Sequence, residues 1–128
     1  MRLLLDTHAL LWFHLGSPKL SSIARAAIED LSHDKLVSPA SYWEIAIKLK
    51  NHKYLLNGPY EAFIQEAIVD NNFEILPIEP KHTSALIALP LHHKDPFDRL
   101  LIAQAIVEGI PIIGADAKFD SYPVSRVW

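Results

Sequence analysis

Short apolar runs, each joined to a helix-forming segment, constrain this chain more than any other feature. Leu3-Leu4-Leu5 is too short for a helix and ends abruptly at Asp6, so it predicts a buried strand. The next nine residues, 7–15, are apolar at most positions, Trp12 and Phe13 included, and predict a helix buried on more than one side. Gly16-Ser17-Pro18 ends it, and Ser21 or Ser22 can cap an amphipathic helix over 23–31, with Ile23, Ala27, Ile28 and Leu31 on its apolar face. The alternation then repeats. A strand is expected at 35–38, closed by Pro39, and a helix at 40–50. After a loop or short hairpin-like excursion at 51–59, a helix is expected at 60–70, stopped by Asn71-Asn72, and a strand at 73–78. Short and long helices follow at 81–88 and 97–108, the second stopped by Gly109, a favourable residue just past a helix end. Strands at 110–113 and 124–127, the last at an edge, complete the pattern. Strands alternating with helices predict an α/β domain around a mostly parallel sheet. No repeat, linker or low-complexity tract divides the 128 residues, so one domain over 1–128 is expected.

If the strands are parallel, their carboxyl ends share one edge, and the crevice beyond that edge is where open α/β sheets bind ligands. Asp6, Glu44, Asp98 and Asp116 each stand beside an apolar element where the chain leaves a strand or enters a helix. Each has an ordinary structural reading. Asp6 suits a helix N-cap, Glu44 completes a capping box with Ser41, Asp98 falls at the third position of a helix capped by Asp95 with Pro96 first, and Asp116 suits a turn. Capping explains each acid separately and does not require that they share an edge. Gathered there, like charges repel and need a cation to stay ionised at neutral pH. Oxygen-only ligands select a hard ion, Mg²⁺ or Mn²⁺, and carboxylate-held ions of that kind cut phosphodiesters. Asp95 can exchange roles with Asp98, and Asp120 competes with Asp116.

Composition narrows the classes. Half of the residues are hydrophobic and 21% are charged, which is globular and excludes disorder as the main state. A net charge of -3 does not advertise nucleic-acid binding, so a polyanion must be held by local Lys and Arg, by metal or by an oligomer. With no cysteine, disulfides and thiolate metal sites are excluded, and a cytoplasmic location is expected. The first apolar run is too short for a signal peptide, and no segment is long enough to span a bilayer. Seven histidines raise zinc, but no two stand four apart on one expected helix; His92-His93 beside Asp95 is the best local cluster and reads as loop. No phosphate-cradling glycine loop and no Gly-x-Ser-x-Gly elbow is present. Trp12, Phe13 and Trp43 read as core or subunit contacts rather than base-stacking platforms, which usually come with a basic groove.

Four blocks together resemble the motifs of PIN domains, most of all the VapC-type toxins of prokaryotic toxin–antitoxin pairs. They are Leu3-Leu4-Leu5-Asp6-Thr7-His8, Trp43-Glu44-Ile45-Ala46, Asp95-Pro96-Phe97-Asp98-Arg99-Leu100-Leu101-Ile102-Ala103-Gln104-Ala105, and Ile112-Ile113-Gly114-Ala115-Asp116. The resemblance covers essentially the whole chain, and the third block is its most specific part. It implies a three-layer α/β/α sandwich and a Mg²⁺- or Mn²⁺-dependent endoribonuclease whose acidic residues match Asp6, Glu44, Asp98 and Asp116. It also implies homodimers and a cognate antitoxin with a segment that blocks the active site. On this reading Asp6 and Asp98 hold the principal ion, Glu44 and Asp116 complete or orient its water shell, and Glu44 takes a proton from water. Thr7 and Arg99 are candidate substrate contacts, Arg99 because its planar fork suits a phosphate. An inactive PIN-fold regulatory module and a metal-dependent phosphatase are the alternatives. The RNA target, among messenger, transfer and ribosomal classes, is not legible in the chain.

Overall fold

The computed structural model describes residues 1–128. Burial alternates along the first strand and so fixes the layers. In β1 (Arg2–Leu5), Leu3 and Leu5 join one core cluster while Leu4 joins another. The same split holds in β2 (Asp34–Val37), where Val37 faces the first cluster and Leu36 the second, and in β4 (Ile112–Ile113), where Ile113 and Ile112 divide likewise. Successive side chains on a strand point to opposite faces, so a sheet with both faces apolar must be covered on both. With β3 (Glu74–Ile75) and β5 (Arg126–Val127) at the edges, the order is β3-β2-β1-β4-β5, and every pairing is parallel.

The first face carries α1 (Thr7–Leu15), α2 (Ser22–Glu29) and α4 (Tyr60–Ile64), which bring Leu10, Ile28 and Phe63 to the core. A π-helical turn, Gln65–Val69, continues α4 and adds Ala67 and Ile68. The second face carries α6 (Pro96–Glu108), with Leu101, Ile102 and Ala105 buried against Leu4 and Ile112, and α5 (Pro80–Ile87) packed on α6. Between the faces runs α3 (Pro39–Lys50), whose Ile45 enters the first core and Ala40 the second. The α/β domain expected from the alternation and the three-layer α/β/α sandwich implied by the resemblance are therefore present, with a sheet that is wholly parallel. No helix is long and apolar enough to cross a membrane.

Three departures have local causes. The helix expected to reach Leu31 stops at Glu29, because the Asp30 carboxylate accepts from the Ser32 N–H at 2.9 Å and turns the chain; Leu31 is left 94% exposed. The strand at 73–78 shrinks to two residues at the sheet edge, anchored by buried Phe73 and Leu76 on either side. Helix α3 begins one residue earlier than expected, at Pro39, because Ser38 caps it by accepting from the Ala40 N–H.

Since β1, β2 and β4 run together, Asp6, Ser38 and Gly114 mark one edge of the sheet. Helices that return antiparallel to the strands start at that edge. The first turns of α1, α3 and α6 therefore face the same crevice as the loop after β4.

Candidate active site

Asp6 both caps and converges. It follows β1, its Oδ1 accepts from the Ala9 N–H at 2.7 Å as the N-cap of α1, and the residue is 4% exposed. Gly114, just past β4, makes room for it: a Cβ there would stand 2.7 Å from Asp6 Oδ2 and 2.6 Å from a ring carbon of Phe119.

The capping-box reading of Ser41 and Glu44 does not hold. With Ser38 as N-cap, Ser41 and Glu44 lie inside α3, and Ser41 accepts the Thr7 hydroxyl at 3.1 Å. Glu44 is 3% exposed; Lys48 Nζ, one turn on, donates to its Oε2 at 2.7 Å. Its Oε1 is buried with no hydrogen-bond partner. A buried carboxylate oxygen without a donor is costly unless something positive meets it.

At the start of α6 the division of labour is the one the sequence suggests. Asp95 caps, its Oδ1 accepting from the Phe97 and Asp98 N–H groups at 2.8 and 3.2 Å, and the Asp98 carboxylate is left for the crevice. Asp116 caps the 3₁₀ turn Ala117–Ser121 through Oδ1, which accepts from the Lys118 N–H at 2.9 Å, and turns Oδ2 inward. The competitor Asp120 points elsewhere and forms a two-pronged pair with Arg126, both contacts at 2.9 Å.

The four acids act on one another electrostatically. Burial pushes the Asp6 carboxyl up from 3.8 to about 7, opposed by the Ala9 hydrogen bond and reinforced by the charges of Glu44 and Asp116. Asp98 rises further, to about 8, through burial first and then the charges of Asp95, Asp6, Glu44 and Asp116. These residues fit a hard divalent cation: the donors are carboxylate oxygens, burial and neighbouring acids raise two of the carboxyls, and one buried oxygen has no partner.

Sequence reasoning missed His93. The pair His92-His93 splits, with the His92 ring edge-on to Tyr122 while His93 turns inward at 5% exposure. His93 Nε2 lies 3.1 Å from Asp98 Oδ2 and 3.0 Å from Asp116 Oδ2. The signal for it, its place in the His92-His93 cluster two residues before the cap of α6, was read as loop. The expected substrate contacts are placed otherwise. Thr7 is 2% exposed and tied to Ser41. Arg99 is spent on the preceding loop, its guanidinium donating to the carbonyls of Leu89, Pro90 and His93 at 3.0–3.2 Å rather than facing the crevice as a free phosphate fork. A second group, Glu79, His82 and Glu108, is internally paired: His82 accepts from the Glu79 N–H and meets Glu108 at 3.0 Å, and Lys81 reaches the same Glu108 oxygen.

Around the crevice, Trp43 is 59% exposed and stands edge-on to Phe97, with ring centroids 5.2 Å apart, so it belongs to the rim rather than the core. An apolar groove of about 390 Å³ runs from His8 along Leu11, Trp12 and Leu15 to Tyr54 and Leu56. A second hollow, of about 260 Å³, shares Leu15 and Leu56 with it and extends to Phe63.

Residues 3–124 match the family of the PIN domain. Ribonuclease VapC22 of Mycobacterium tuberculosis is 29% identical over 129 residues, which covers 98% of this chain and 97% of that protein. Among solved structures, VapBC2 from Rickettsia felis bound to a DNA fragment from their promoter contains a chain with a TM-score of 0.70 at 17% identity, covering 100% of both chains. A toxin–antitoxin complex from Klebsiella pneumoniae gives 0.65 at 20% identity, over 94% of this chain and 92% of that one. At such identities the structural likeness is one of fold.

Proposed function

The chain belongs to the PIN domain family, and from that premise we propose that it is a metal-dependent endoribonuclease, the toxin of a toxin–antitoxin pair, hydrolysing RNA phosphodiester bonds with Mg²⁺ or Mn²⁺. The observation that supports this most is the gathering of Asp6, Glu44, Asp98 and Asp116 at the carboxyl edge of a parallel sheet, where each raised carboxyl feels the others and Glu44 Oε1 has no donor. The ribonuclease relative over nearly the full chain agrees with it.

Asp6 and Asp98 would hold the principal ion, with Asp116 beside them. A bound divalent cation lowers the pKa of a water and offsets the charge that develops on the phosphate. Lys48 anchors Glu44 by Oε2, which leaves Oε1 without a donor and able to accept a proton from the attacking water. The Ala9 bond holds the Asp6 carboxylate and the Asp95 cap fixes the first turn of α6 that carries Asp98 before substrate arrives, so little reorganisation is needed at the reacting centre.

The apolar groove beside α1 supports a partner as well. It starts at His8, next to the acids, and would take the apolar face of an antitoxin segment whose basic residue could then meet the carboxylates. A homodimer and a cytoplasmic setting complete the reading, since an RNA-cutting toxin acts where its RNA is.

Cleavage of a mixed RNA pool by the partner-free protein tests the proposal, with Mn²⁺ or Mg²⁺, beside an EDTA control and Asp6→Asn. Cuts that need both metal and Asp6 are expected. Cuts that persist in Asp6→Asn overturn the assigned site. Turnover of a chromogenic phosphomonoester with RNA left intact would make the protein a phosphatase instead.

A further inference from the structure

We propose that His93 is a positioning residue of this carboxylate centre: its Nε2–H stands between Asp98 and Asp116 and holds them as a pair, and it is not itself a metal ligand. The inference rests on the metal-binding reading above and adds a residue to it.

The tautomer decides the role. The Asp95 N–H donates to His93 Nδ1 at 3.2 Å, so Nδ1 offers its lone pair and carries no hydrogen. A neutral imidazole has one N–H, which must then sit on Nε2. Nε2 lies between two carboxylate oxygens, Asp98 Oδ2 at 3.1 Å and Asp116 Oδ2 at 3.0 Å, without an aligned hydrogen bond to either. A nitrogen that bears hydrogen has no lone pair for a cation. The ring therefore sets a polarised N–H between two acids that would otherwise repel, one from α6 and one from the loop after β4.

The backbone around His93 is built to keep that aim. Its N–H donates to the Tyr122 hydroxyl at 2.8 Å, and its carbonyl accepts from Arg99 at 3.2 Å. The Phe119 ring lies 6.0 Å from the imidazole, on the side of the 3₁₀ turn that Asp116 caps. The position of Arg99 is accounted for in the same way: it fixes the loop that presents His93. Outer partners that orient carboxylate ligands typically change metal affinity by about 10- to 100-fold when removed.

Mn²⁺ binding to the full chain, followed by electron paramagnetic resonance without RNA, tests this on wild type, His93→Leu, His93→Gln and Asp6→Asn. His93→Leu is expected to weaken Mn²⁺ by about tenfold or more. His93→Gln, whose amide can donate from nearly the Nε2 position, is expected to recover most of the loss, and the wild-type pulsed spectrum should show no directly coordinated nitrogen. Wild-type affinity in His93→Leu, with binding abolished in Asp6→Asn, overturns the role of His93 and leaves the metal reading standing. A strong nitrogen coupling that vanishes in His93→Leu makes His93 a ligand and overturns the proposal. So does a His93→Gln variant that folds by circular dichroism and binds no better than His93→Leu. Absence of Mn²⁺ binding in wild type overturns both this inference and the nuclease reading on which it rests.

Discussion

Two residues decide whether the crevice can work as an acid cluster. Gly114 is the first. Its φ is ordinary, so what it supplies is space: any Cβ meets the Asp6 carboxylate and the Phe119 ring at under 3 Å. Gly114→Ala is expected to displace Asp6 and to cost about 1–3 kcal/mol by overpacking. The same variant should lose the stabilisation that divalent metal confers, read as a vanishing difference in melting temperature with and without Mg²⁺. A variant that melts and responds to metal like wild type would refute the close approach. Glu44 is the second. With Oε2 held by Lys48 and Oε1 free of donors, Glu44→Gln keeps the shape and removes the proposed proton acceptor. RNA cleavage should fall by roughly 10²- to 10⁴-fold with the fold intact by circular dichroism; a smaller loss would assign the base elsewhere.

At the scale of elements, the start of α6 does structural and chemical work together. Asp95 satisfies two N–H groups that the helix itself cannot, and Pro96 at the first position suits the helix start. Replacing the cap is expected to cost about 1 kcal/mol, within the usual range for such caps. Denaturant unfolding of Asp95→Ala should show it, and Asp95→Asn should recover most of it. Both variants also remove a neighbouring negative charge, so the Asp98 carboxyl should titrate lower than in wild type. An unchanged Asp98 titration, followed by carbon-13 chemical shifts, would mean that burial alone sets its value. Helix α3 shows the converse case. Moving the cap three residues back, from Ser41 to Ser38, turns an expected capping pair into a buried serine and a buried glutamate.

For the whole molecule, the cluster sets how stability varies with pH. Asp6 and Asp98 stand at about 7 and about 8 when folded and near 3.8 when unfolded. Between those values the native state binds more protons than the unfolded chain, so stability falls as pH rises. The contribution is complete below pH 4 and is lost as pH climbs through about 7 to 8. Glu108 and Asp120 work in the opposite sense. His82, through its hydrogen bond, holds Glu108 below the ordinary range, and Arg126 does the same for Asp120. Their stabilisation is lost on acidification. Metal-free protein should therefore melt highest in mildly acidic buffer and lose stability toward pH 8. Divalent metal should add most at the alkaline end, where the carboxyls have released their protons. Thermal melts in EDTA and in Mg²⁺ from pH 5 to 8.5 would check this, and a metal-free melting temperature that rises over that interval would contradict it.

What the sequence determined by itself is local in origin. The alternation of Leu3, Leu4 and Leu5 between two faces follows from the two-residue period of a strand, and both faces being apolar required helices on each side. The caps at Ser21 and Asp95 were readable because a cap and its target N–H stand two or three residues apart. Strand ends carrying Asp6 and Asp116 placed two acids at the same edge once the strands were parallel. The tertiary structure decided what depends on distant partners. Thr7 was taken by Ser41, 34 residues on, and Arg99 by carbonyls six to ten residues back. Asp120 went to Arg126, leaving Asp116 to the crevice, and His93 was carried from a loop into the gap between Asp98 and Asp116. A helix turn or a strand pleat is set by neighbours along the chain, whereas the partner of a buried polar group is set by which segments the packed sheet brings against it.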